Sequence, residues 1–242
     1  MPDGGYRRSL PVGAVALAAL FVTALVTAQV TAAKLIAVPL PASLPVVGAS
    51  ILLPGASVAY PLTFFASDCY AELYGKRPAQ VLVNVAFGMN FVLLALVGLI
   101  IVAPHGGGVP QETFATTLGA SLNIVVGSLL AYLVSQNWDV VVFHRLRDYT
   151  AGEALWLRNV GSTATSQALD TVLFVGVAFA VLPALGVNPG LGLPLAAVAA
   201  LMVGQYLVKL LVAVLDTPFV YLVVGLARGR EDGGSPGNGT DR

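Results

Sequence analysis

Nine polar side chains stand out because they interrupt apolar sequence at helical spacing. Asp68 and Glu72 are four residues apart, as are Gln205 and Lys209, with Asp216 seven further on. Gln136 and Asp139, and likewise Gln167 and Asp170, are three apart. On a helix turning about 100° per residue, each set shares one face, and the last falls within about 40° of a single line. A carboxylate accepts two parallel N–H bonds, and an amide both donates and accepts. Together such groups can read the hydrogen-bonding edge of a flat polar ligand. Removed from water, these bonds gain in strength and selectivity.

Each residue also has a structural reading. Asp68 and Glu72 can cap a helix end and pair with Lys76 or Arg77, and Asp139 can pair with Arg145. Asp216 precedes Thr217-Pro218 and can relieve a kink there. Lys209 can snorkel, but its mid-helix position calls for an acidic partner, for which Asp216 is the candidate on the same face. Catalytic chemistry fits less well. His105 and His144 fall in a loop and at a helix end, so a Ser–His dyad has no histidine inside a span, and Lys209 has no serine one turn away. One cysteine and two histidines exclude a disulfide framework and a His/Cys zinc site. The expectation is a non-enzyme without cofactor or metal.

The elements that must carry these residues are membrane spans. Of 242 residues, 57% are hydrophobic and 10% charged, where a soluble domain has about a quarter charged. The mean hydropathy is +0.85. Six stretches approach or exceed the roughly 20 residues a spanning helix needs: Leu10–Ala33, Val46–Tyr74, Val81–Ala103, Thr113–Phe143, Thr163–Leu185 and Ala196–Ala227, the last with a kink at Pro218. The predicted class is an all-α polytopic membrane protein, with one transmembrane domain over 1–227 and a polar, Gly-rich, disordered tail over 228–242. Ten of the twelve basic residues fall on one side of this arrangement: Arg7, Arg8, Lys76, Arg77, Arg145, Arg147, Arg158, Arg228, Arg230 and Arg242. The positive-inside rule then puts both termini in the cytoplasm of a plasma or inner membrane. Zero net charge implies no nucleic-acid partner. Beyond the lipid bilayer, a homo-oligomer is compatible with the pattern and not specified by it.

Ionisable groups inside spans cost roughly 2.5–3.5 kcal/mol each on insertion scales and mark sites or pathways by default. With four helices each carrying a polar stripe, the economical packing turns the stripes inward around one cavity. A short echo adds to this: Ser135-Gln136-Asn137-Trp138-Asp139 on a descending helix matches Ser166-Gln167-Ala168-Leu169-Asp170 on the ascending one at Ser, Gln and Asp. Internal repeats of inverted direction often bracket a midplane site.

Longer motifs carry a family resemblance. Asp68, then Glu72-Leu73-Tyr74-Gly75-Lys76, resembles the Asp…Glu-x-Tyr-Gly-Lys signature of the queuosine precursor transporter family, the VUT or YhhQ-type proteins. So do Tyr132 to Arg147, Trp156 to Thr171, and Gln205-Tyr206-Leu207-Val208-Lys209 through Leu215-Asp216-Thr217-Pro218 to Tyr221. The likeness spans roughly residues 45 to 226, with Ser67 and Cys69 as small departures. It implies uptake of 7-cyano- or 7-aminomethyl-7-deazaguanine, precursors of the tRNA bases queuosine and archaeosine. It also implies a helix organisation like that of the substrate-binding subunits of energy-coupling-factor transporters. On that reading Asp68, Glu72, Gln136, Asp139, Gln167 and Asp170 surround the base, with Asp170 as the base-reading carboxylate. Lys209, Asp216 and Gln205 then form a charge pair or proton-coupling group. Proton symport and facilitated entry followed by trapping both fit five intramembrane acids against one lysine. The competing class is a substrate-binding membrane subunit of a multi-component ATP-driven importer, since the chain has no nucleotide-binding Gly loop of its own.

Overall fold

The computed structural model describes residues 11–150 and 155–232. Helix α1 (Val12–Thr31) leads into a hairpin of β1 (Leu35–Leu44) and β2 (Gly48–Pro54), followed by α2 (Ala56–Tyr74) and α3 (Lys76–Val102). Next come α4 (Gln111–Gly119), α5 (Ser121–Tyr149) and α6 (Leu155–Gly176), which runs through a π-helical turn at Val177–Val181 into the short α7 (Leu182–Ala184). A 3-10 turn at Pro189–Leu191 precedes the long α8 (Leu195–Asp232).

Five columns are long and apolar enough to cross a bilayer: Val12–Thr31, Lys76–Val102, Gln111–Tyr149, Val160–Ala184 and Leu195–Ala227. The sixth, α2, has 19 residues, close to a full crossing at about 1.5 Å per residue. Asp68, Glu72 and several hydroxyl groups make it less apolar than a purely lipid-facing span. The chain is thus an all-α multi-pass membrane protein with six long helices. Arg7, Arg8 and Arg242, three of the charges on which the orientation rests, lie outside the described residues.

The second span is corrected at its start. Val46 to Gly55, expected to be helical, instead supply the turn and second strand of an antiparallel hairpin, with Leu35 opposite Pro54, Val38 opposite Ile51 and an irregularity between Pro39 and Leu44. Three prolines (Pro39, Pro41, Pro45) and left-handed Val46 and Gly48 bend the chain where a helix would have to begin. Pro54-Gly55 then ends β2, and α2 starts one residue later. The open edges of a two-stranded sheet are costly in hydrocarbon. Here β2 lies against α8 and the start of α2. At the other end, α8 stays helical through Pro218 and past Ala227, so the expected tail begins as helix backbone.

Helices α1 and α2 pack closely along their length, as do α5 and α6. Small residues make this possible: Ala28 of α1 and Ala32 just past its end meet Ala56 and Ala59 of α2 in the main core, with Ile124, Phe174, Phe179 and Leu201. Without a hydrophobic drive between helices in lipid, close backbone approach is what holds them together. This core sits in the half of the bundle nearer the hairpin, and Leu35 and Leu52 of the hairpin pack onto it. Toward the end bearing Lys76, Arg77, Arg145 and Arg147, the bundle loosens. Along α2 no described residue is buried beyond Cys69, and along α5 none beyond Ser135.

Two connections explain local motifs. Between α2 and α3 the chain reverses at one residue, Gly75, with φ 95° and ψ 160°. Only glycine adopts that conformation without strain, which accounts for the Tyr-Gly-Lys sequence at the turn. At the hairpin end, buried Asn123 of α5 donates to Val187 O (2.9 Å), and Asn188 donates to Asn123 Oδ1 (2.9 Å) and Gly119 O (3.0 Å). This network ties the loop before α8 to the break between α4 and α5.

Candidate functional site

At mid-depth, α6 and α8 are joined by an ion pair between Lys209 Nζ and the Asp170 carboxylate. The side chains are 10% and 21% exposed respectively, so the pair is largely removed from surroundings that would screen it. It is the one salt bridge found among the described residues. The expected Lys209–Asp216 pair does not form. Seven residues along one helix separate these groups by roughly 10 Å of rise, and Asp170 reaches Lys209 from the neighbouring helix instead.

The pair stands in the wall of a cleft between α1, α2, α5, α6 and α8. Its lining includes Gln29, Ser57, Tyr60, Phe64, Ser128, Asp170, Phe174, Gln205 and Lys209. The space is about 620 Å³ counted with its open mouth, and its enclosed part is narrow. Its enclosed space is about 40 Å³, well below the roughly 300–1,000 Å³ of small-molecule sites, so a ligand enters only when the cleft widens. Tyr60 and Phe64 meet edge to face with centroids 5.4 Å apart, and Phe174 adds a third aromatic wall. Two amide oxygens in the cleft, Gln29 Oε1 and Gln205 Oε1, are buried without a hydrogen-bond partner. Buried polar atoms are normally paired, so each marks a place where a ligand group or water would be held.

Of the nine residues singled out in the sequence, Asp170, Gln205 and Lys209 line this cleft. The other six do not. Asp139 of α5 is half-buried and accepts from Ser166 Oγ of α6 (3.1 Å). Gln167 lies one turn from Asp170 and is half-buried. Asp68, Glu72 and Gln136 are exposed in the loosened, basic half, where Asp68 is within electrostatic reach of Asp216 and Glu72. That half also holds groups the sequence reading passed over. Gln80 of α3 donates to Asn84 Oδ1 (3.0 Å) and to the Tyr132 hydroxyl (3.1 Å), and Phe87 stacks on Tyr132 at 4.3 Å. Gln29, Ser57, Tyr60 and Ser128 of the cleft were also missed. For Gln29 a signal existed, because it is the one amide in α1, a helix without charge.

The echo between α5 and α6 has a structural counterpart. Ser135 Oγ lies 3.4 Å from Asp170 Oδ1, and Ser166 Oγ lies 3.1 Å from Asp139 Oδ1. Each serine therefore faces the aspartate of the other copy. Each hydroxyl also lies within reach of its own helix, at Tyr132 O (3.3 Å) and Thr163 O (3.0 Å), and a single proton serves one acceptor at a time.

Six long helices around a largely buried ion pair and a polar cleft define a multi-pass membrane protein with a candidate small-molecule site. Residues 54–223 match the family described as "Putative vitamin uptake transporter", and the chain belongs to that family. It is 33% identical over 167 residues to the "Probable queuosine precursor transporter" of Bacillus subtilis (strain 168), covering 68% of this chain and 69% of that protein. It is 24% identical over 123 residues to the "Probable queuosine precursor transporter" of Haemophilus influenzae Rd, covering 51% and 50% of the two chains. No solved structure matches. Family and relatives are transporters by name, in keeping with a chain that is not an enzyme. Asp170, Gln205 and Lys209 fall within the matched region, whereas α1, with Gln29, precedes it.

Proposed function

We propose that the chain imports a 7-deazaguanine precursor of queuosine or archaeosine, 7-cyano- or 7-aminomethyl-7-deazaguanine, through the cleft at Asp170 and Lys209. The names of the two relatives support a queuosine precursor as cargo. The observation that carries the choice of base is the ion pair itself. The amide edge of a guanine-like ring offers a carbonyl oxygen beside two N–H donors. A carboxylate accepts such donors in pairs, and an ammonium donates to the carbonyl. A ligand inserted between Asp170 and Lys209 would satisfy both charges at once, so parting them need not strand either. The aromatic walls of Tyr60, Phe64 and Phe174 suit a flat ring.

On this reading Asp68, Glu72, Gln136, Asp139, Gln167 and Asp216 belong to the route from the cleft to the basic end. The concentration of Lys and Arg at that end supports cytoplasmic termini in a plasma or inner membrane. The deciding experiment is uptake of radiolabelled base by vesicles containing the purified chain alone. Accumulation that depends on Asp170 supports the proposal. Binding without uptake would identify the substrate-binding subunit of a multi-component importer, and neither binding nor uptake would end the assignment. Imposing a pH gradient in the same vesicles separates proton symport, which accelerates, from facilitated entry, which does not.

A further inference from the structure

We infer that Gln29 and Gln205 are substrate-reading residues that accept the ring N–H and the remaining amino proton of the base, so that the site selects the free base over its N9-substituted nucleoside. This rests on the deazaguanine reading above. Gln29 is 2% exposed, yet its amide oxygen has no partner; Gln205 on α8 is half-buried, and its own amide oxygen is likewise buried and unpartnered. Neither atom is free to turn toward other groups by a shift of its helix. Around Gln29, α1 is held by Ala28 and Ala32 against Ala56 and Ala59 of α2, and the Gly55 amide donates to Lys34 O at 2.6 Å. Next to Gln205, Gly204 lies against the backbone of Leu52 in β2, where an added Cβ would come within 2.4 Å of the carbonyl oxygen. Beside it on the other flank, Tyr206 donates to Ala164 O of α6 at 3.2 Å.

Both orphan atoms are acceptors, so the ligand must bring donors. Once Asp170 and Lys209 hold the carbonyl, the ring N1–H and one amino N–H, a 7-deazaguanine base has two donors left on its ring system. These are the second amino N–H and the pyrrole N9–H. Two orphan acceptors in the cleft lining meet two remaining donors. In a nucleoside N9 carries the sugar and donates nothing. Gln29 lies outside the span matched by the family, so the inference makes α1 part of the binding apparatus rather than packing alone.

The test is binding of 7-deazaguanine and its 9-methyl derivative to the purified full chain by isothermal titration. Wild type is expected to bind the free base at least about tenfold more tightly than the 9-methyl compound. Gln29→Met and Gln205→Met, which keep side-chain length and remove the acceptor, should each lose about tenfold in affinity, and at least one should lose the discrimination. Gln29→Glu, which keeps an acceptor, should retain the preference for the free base. Wild type that binds both compounds equally overturns the inference even if the Met variants fail to fold. So do Met variants that fold and bind like wild type. Wild type that binds neither compound nor the cyano and aminomethyl bases overturns the deazaguanine reading itself, and the inference with it.

Discussion

Ser166 of α6 holds the carboxylate of Asp139 on α5 at 3.1 Å. Its partner in reverse, Ser135 of α5, stands 3.4 Å from Asp170 of α6. The two helices run antiparallel, so an exchange of this kind places a local two-fold relation between them. A match of a few letters in biased sequence carries little weight, but reciprocal contacts at the matched positions give it a geometric meaning. The two halves are not equivalent in environment. Asp170 also binds Lys209 and faces the cleft, whereas Asp139 lies nearer the basic end without lining it.

That asymmetry predicts different costs for the two serines. The 3.1 Å contact of Ser166 to a carboxylate is the better bond, and Ser166→Ala should destabilise the protein by about 1 kcal/mol. The 3.4 Å contact of Ser135 is long for an O–H···O bond, and Ser135→Ala should cost under about 0.5 kcal/mol. Denaturation of the purified variants in one detergent measures both. Equal losses would mean that the two contacts are interchangeable.

The Asp170–Lys209 pair predicts a non-additive result. Removing one partner leaves the other charged and largely buried, a change that costs about 3–5 kcal/mol in fully buried cases and, with Asp170 partly exposed, about 2–3 kcal/mol here. Asp170→Asn and Lys209→Met should each show that loss, while the double variant should be more stable than either single one. Uptake should fail in all three. A double variant whose loss equals the sum of the singles would show that the pair contributes nothing as a pair.

Hydropathy made five of the six long helices legible because they are long and apolar enough to enter a membrane, whereas the expected second span took its apolar start from residues that form the hairpin. The hairpin was not legible on the same basis. Val46, Val47, Ile51, Leu52 and Leu53 are apolar in either state, and a short apolar run reads equally as strand or buried helix. The breakers at Pro45, Gly48 and Pro54-Gly55 were the signal that favoured strand. For the site, helical spacing put Gln205 and Lys209 on one face, and both line the cleft together with Asp170. It could not say which acid would meet Lys209, because the partner comes from another helix and one-dimensional spacing favours neighbours on the same one. Gln29 escaped for the opposite reason: a lone amide in an uncharged helix forms no pattern, and only its burial beside an open cleft gives it meaning.

Gly75 offers a test of the turn between α2 and α3. Its φ of 95° with ψ of 160° lies in a region open essentially to glycine alone. Gly75→Ala should therefore cost about 1–3 kcal/mol, although an added Cβ would meet no atom closer than Pro78 Cδ at 3.9 Å. Backbone strain is thus the whole of the expected effect, and Gly88→Ala, in open space inside α3, serves as the comparison. The loss should appear as a lower Tm for Gly75→Ala alone.

The contact of Gly204 with β2 predicts that the hairpin is seated by the absence of a side chain. A Cβ at this position would lie 2.4 Å from Leu52 O and 2.8 Å from Ile51 Cγ2, and the first of these is backbone that cannot rotate away. Gly204→Ala should force β2 off α8 and destabilise the protein by about 1–3 kcal/mol, as overpacking does elsewhere. Helix propensity acts the other way, favouring alanine over glycine by about 1 kcal/mol, and Gly225→Ala on the same helix, with nothing within 4 Å, should show that gain alone. Because Gln205 follows Gly204 directly, displacement of the strand should also weaken ligand binding. A cysteine pair at Leu52 and Val203 would report the movement through its cross-linking rate. If Gly204→Ala is as stable as Gly225→Ala and cross-links as fast as the parent, β2 does not rest on α8.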